Sequence, residues 1–81
     1  VRAPAIQQAH REAMVHAESA LELPLSEREF ALQFQAGTRE HLPLLKKLVH
    51  EFQDKLDALF AAGPKQEVFQ LSLQFFSGYP L

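Results

Sequence analysis

Residues 68–76 read VFQLSLQFF, and the backbone this run adopts decides the class of the whole chain. Side chains of a strand alternate between its two faces, so Phe69, Leu71, Leu73 and Phe75 would form one row and Val68, Gln70, Ser72, Gln74 and Phe76 the other. The first row has the character of a core. The second is polar yet uncharged, which is unusual for a face that meets only water. The alternation predicts a strand over about residues 67–76.

The same pattern occurs upstream. In FALQFQAG, residues 30–37, Phe30, Leu32, Phe34 and Ala36 alternate with Ala31, Gln33 and Gln35, predicting a second strand over about residues 29–36 with Gly37 as its stop.

Two stretches read as helices. Over residues 4–23, Pro4 suits a first-turn position, Ile6, Ala9, Ala13, Ala17, Ala20 and Leu21 recur at helical spacing, and Pro24 disfavours helical geometry at Leu23. The stripe is mostly alanine, so it permits close approach of a neighbour but contributes little area. Over about residues 39–62, Leu45, Leu48, Val49, Phe52, Leu56, Leu59 and Phe60 trace a continuous apolar stripe, with charged residues on the remaining surface. Thr38 is the candidate N-cap, Pro43 must fall near the first turn, and Gly63 followed by Pro64 marks the end. Glu51 and Lys55 are spaced for an i, i+4 contact on an outer face.

The expected order is helix, strand, helix, strand: a single α+β module of 81 residues with a small sheet and its helices on one face. Strands joined through a helix lie parallel with a right-handed crossover, adjacent or with a gap another strand fills. Two strands alone make a poor sheet, so a homodimer partner, or sequence N-terminal to this chain, is expected to complete it.

A domain of this length buries only roughly 60% of the surface its unfolded chain exposes. With 47% hydrophobic residues, seven of them Phe, the chain is too apolar for disorder. Its apolar runs fall short of the roughly 20 residues that span a bilayer. Cysteine is absent, which excludes disulfides and thiolate chemistry and suits a cytoplasmic protein, and the first ten residues lack the apolar core of a secretory signal. The chain does not begin with Met, which suggests a fragment or a processed product. Net charge is −2, and the eight Lys and Arg residues are scattered, so the basic stripe that direct nucleic-acid contact needs is missing from this segment.

On the two-stranded sheet, Gln33, Gln35, Gln70, Ser72 and Gln74 would line one face. These groups donate and accept hydrogen bonds without the desolvation cost of a charge, which suits a wet protein interface, a shallow polar ligand site, or simply a solvated face. Catalytic signals are absent: the three glycines punctuate elements rather than form a phosphate loop. His10 and His16 stand six apart, on different faces of the first helix, and His41 and His50 also diverge. Glu12 and His16 have i, i+4 spacing, which is more often a surface contact than half a metal site. No cofactor or metal is expected. Phe69 and Phe75 share their row with Leu71 and Leu73 and lack basic neighbours, so they read as core rather than as stacking platforms for RNA.

Three segments carry a family resemblance: SEREF at 26–30, HLPLLKKLVHEFQDKLDAL at 41–59 and EVFQLSLQFF at 67–76. With them the chain resembles the C-terminal domain of unknown function of a bacterial family described as helix-turn-helix transcriptional regulators. Nearly the whole chain follows that pattern. It departs at FFSGYPL, residues 75–81, where the family tends towards Phe-Pro-Leu. The resemblance implies a longer protein whose N-terminal part binds DNA while this module associates or senses. The expected function is therefore non-enzymatic: dimerisation within a cytoplasmic regulator through the sheet edge or the glutamine face. The alternative is a sensing module that takes a small-molecule effector on that face or at the dimer seam.

Overall fold

A computed structural model describes residues 3–80. Its elements are α1 (Pro4–Ser19), two short 3-10 turns (Ala20–Glu22 and Leu25–Glu27) and α2 (His41–Phe60). Among the described residues there is no strand or bridge, so the fold class is all-α and the expected α+β sheet does not form. Both predicted strands, about 29–36 and 67–76, are extended or irregular backbone without a ladder. The physical reason is that a period of two specifies how side chains alternate along an extended segment, whereas a strand exists only where a second segment supplies its hydrogen bonds.

Pro4 opens α1 at the first helical position, where its missing N–H costs nothing and its fixed φ already matches the helix. Ala3, with φ −116° and ψ 96°, gives no side-chain cap, but its carbonyl accepts from the Gln7 N–H at 3.0 Å. At the other end Ser19 turns its hydroxyl back onto the His16 carbonyl at 2.9 Å, and the backbone tightens into the Ala20–Glu22 turn. Leu23 leaves helical geometry with φ −70° and ψ 151°, as the clash with the following Pro24 ring demands. Helical backbone thus stops at Glu22, one residue before the predicted limit, with its last turn 3-10 rather than α.

The start of α2 is built differently from the expected threonine cap. Glu40 holds the N-cap position without a side-chain hydrogen bond. The helix's first donors are taken up by backbone: His41 N–H reaches the Thr38 carbonyl at 3.0 Å and Leu42 N–H the Arg39 carbonyl at 3.1 Å, while Pro43 has no N–H to satisfy. The histidine side chain works in the reverse direction. With its Nδ1 unprotonated, His41 accepts the Thr38 N–H at 3.1 Å, closing the turn from below. Gly37 makes room for that ring, since a Cβ there would sit 2.9 Å from His41 Nδ1. At the C-terminus Ala61 N–H bonds the Ala58 carbonyl at 3.4 Å, Lys65 donates to the Phe60 carbonyl, and Gly63 takes the left-handed backbone at φ 96°.

The chain divides into two units: the described residues up to Gln33 together with Phe69–Pro80, and Phe34–Val68. In the first unit, Ala13 and Ala17 of α1 and Ala20 of the 3-10 turn that follows it are half-buried. The closing segment is tied to that helix by Gln70, whose side-chain amide donates to the Ala13 carbonyl at 2.9 Å. The connector is held by Arg28, which donates from Nε to the Leu23 carbonyl at 3.0 Å and stacks its guanidinium 5.3 Å above the Phe30 ring. In the second unit, Leu42, Leu45, Val49 and Leu56 of α2 are half-buried. None of the described residues is fully buried, so the aromatic row expected to form a core does not enclose one.

Candidate functional site

The five polar residues singled out by the sequence divide between the units. Gln33, Gln70, Ser72 and Gln74 belong to the first and Gln35 to the second. Gln70 is committed to the Ala13 carbonyl, where a helical carbonyl uses its second lone pair to accept a further bond. Ser72 is half-buried; Gln33, Gln35 and Gln74 are exposed. The shared sheet face on which all five were expected does not exist, and Gln70 instead fastens the closing segment to α1.

The histidines fall on separate stretches of helix surface. His10 and His16 lie on α1, His41 shapes the entry to α2, and His50 is exposed farther along α2. Among the described residues, no group of three or more His, Asp and Glu side chains gathers where it could hold a metal ion. An open groove of about 300 Å³ runs along α1, lined by Gln8, Arg11, Glu12, Val15 and His16. Its polar side chains are linked in series, Arg11 donating to Gln8 at 3.5 Å and Gln8 to Glu12 at 3.4 Å. These are long contacts on an exposed helix surface and carry little energy. Among the described residues no helix is long and apolar enough to cross a membrane.

A further feature is the apolar arc of α2. At 100° per residue, the half-buried Leu42, Leu45, Val49 and Leu56 form one ridge, and Leu44, Leu48, Phe52 and Leu59 form another roughly 90° around the helix. The second ridge is open: Leu44 is 62% exposed, Leu48 63%, Phe52 47% and Leu59 72%. Together the ridges span an arc of roughly 160°. Sequence periodicity places six of these eight residues, all but Leu42 and Leu44, in a single stripe together with Phe60. Only their different exposure divides them into a covered ridge and an open one.

Sequence reading also passed over three side chains that set local structure. Arg28 lies inside the SEREF segment, where the sequence offers only a family pattern. His41, a candidate ligand by residue type, accepts the Thr38 N–H. Lys65, five residues beyond Phe60, caps the last turn of α2. A cation just past a helix end is a recognisable signal, because the terminal carbonyls carry partial negative charge.

The chain belongs to the protein family described as a domain of unknown function (DUF4423), whose family model matches residues 1–77. No curated protein and no solved structure shows a significant match to it.

Proposed function

We propose that this DUF4423 domain is a non-enzymatic self-association module of a bacterial helix-turn-helix transcriptional regulator, with the DNA-binding part outside the residues described. The observation that carries the reading is the open ridge of α2. Four large apolar side chains, Leu44, Leu48, Phe52 and Leu59, lie exposed along one line of a 20-residue helix, and contiguous exposed apolar surface is what an association surface offers. Scattered basic residues and a net charge of −2 support placing DNA contact elsewhere. Association suits that division of labour, because helix-turn-helix proteins read paired half-sites as symmetric dimers. The seam differs from the one expected: with no sheet among the described residues, sheet-edge pairing is replaced by helix packing.

The test is the mass of the chain in solution, by light scattering after gel filtration over a wide concentration range. A dimer is the expected result. Fusion to a helix-turn-helix head that is monomeric on its own extends it: the fusion is expected to bind a two-half-site operator more tightly than the head alone. A chain that stays monomeric throughout, and leaves the head's affinity unchanged, refutes the reading.

A further inference from the structure

We propose that His41 is a pH-sensitive latch on the entry to α2: the neutral imidazole holds the turn at residues 37–40 closed, and protonation at Nδ1 opens it. The inference concerns this joint alone and does not depend on self-association.

The bond that closes the turn fixes the protonation state of the ring. A backbone N–H can only donate, so the Thr38 N–H, 3.1 Å from Nδ1, needs a lone pair there, and the neutral ring carries its proton on Nε2. The Thr38 hydroxyl, 3.5 Å from the same atom, is placed to donate to it as well. A proton on Nδ1 removes both acceptor roles at once. It also makes Nδ1 a rival for the Thr38 carbonyl, 3.3 Å away, which already accepts the His41 N–H at 3.0 Å.

The local backbone is fitted to the ring. Gly37 has no positive φ that would call for glycine, and a Cβ there would lie 2.9 Å from Nδ1. Glu40, at the N-cap, makes no side-chain bond to this helix end.

Charge acts in the same direction. A cation at a helix N-terminus faces the positive end of the dipole. The first turn of α2 holds no carboxylate to offset it, the hydrogen-bond partners of the ring all belong to Thr38, and α2 is the one helix of the unit it lies in. Arg39 and Glu40, which precede the ring in sequence, carry opposite charges, and the next charged residues along α2, Lys46 and Lys47, are cations. Acidification from about pH 8 to about pH 5, the interval in which histidine gains its charge, is therefore expected to release the Thr38 N–H and loosen the joint between residues 34–37 and α2.

The test is a nuclear magnetic resonance titration of the whole chain over that interval, with all four imidazoles assigned. The Thr38 amide proton is expected to move upfield in step with the His41 ring, and the Cα carbon shifts of residues 39–42 to move towards coil values. His41→Gln, whose side chain does not titrate, and Gly37→Ala, which displaces the ring, are each expected to abolish the Thr38 response. A chain carrying His10→Gln, His16→Gln and His50→Gln together is expected to retain it.

A Thr38 amide that stays in place while His41 titrates, or that still responds in His41→Gln, overturns the latch. Unchanged Cα shifts at residues 39–42 overturn the opening, because they show the imidazolium holding the turn through the Thr38 carbonyl instead.

Discussion

The side-chain amide of Gln70 donates to the backbone carbonyl of Ala13 across 2.9 Å and 57 residues of sequence. It ties the closing segment to the middle of α1. Because Ala13 is only half-buried, water competes for the bond, and its net contribution is expected at the lower end of the roughly 0.5–1.5 kcal/mol range. Gln70→Ala is expected to destabilise the chain by about 0.5–1 kcal/mol in urea unfolding. Gln74→Ala, the same change at an exposed position, is expected to fall within about 0.5 kcal/mol of wild type. Equal losses from the two would contradict a specific role for Gln70.

Arg28 combines a hydrogen bond to the Leu23 carbonyl with stacking on Phe30. A lysine keeps the charge but has neither the planar face nor the Nε–H, so Arg28→Lys is not conservative here. It is expected to cost about 1 kcal/mol. Phe30→Leu, which removes only the stacked ring, is expected to cost less through this contact. Thermal unfolding of both variants checks the order.

Gly37 and His41 form a pair that a double-mutant cycle can resolve. A Cβ at Gly37 falls 2.9 Å from Nδ1 of the ring, so Gly37→Ala is expected to displace the imidazole and release the Thr38 N–H. In a His41→Ala background the obstacle is gone. There, Gly37→Ala is expected to be neutral or to stabilise by up to about 1 kcal/mol, because the backbone lacks a positive φ at this position and alanine restricts the unfolded chain. Additive effects would show that the ring and the glycine are independent.

Gly63 poses the opposite problem. Nothing lies within 4 Å of a Cβ built there, yet its φ is 96°, a conformation that strains any L side chain. Gly63→Ala is expected to destabilise the end of α2 by about 1 kcal/mol, and Gly63→Asn by less, since asparagine tolerates left-handed backbone better. Amide exchange near Ala58–Ala61 is the measurement, with faster exchange in the alanine variant expected.

Sequence reading located both helices and most of their limits because the determinants are local. Pro4, Pro24 and Gly63 act through their own backbone geometry, and the apolar stripe of α2 repeats at the helix's own period. The candidate site was less legible. Gln70 was recognised as a residue of interest, but its partner, Ala13, lies 57 positions away and has a side chain that offers no polar signal.

The sequence alone determined two helices, their principal boundaries and an α2 surface with one apolar and one charged side, since each depends on residues a few positions apart. The alternation at 30–36 and 68–76 determined only which side chains would share a face if the backbone were extended. Whether extended backbone becomes a sheet depends on hydrogen-bond partners brought from elsewhere in the chain, and tertiary structure decided that no ladder forms among the described residues. It also decided which apolar ridge of α2 is covered and which stays open, because periodicity states which side chains point together, not what they meet.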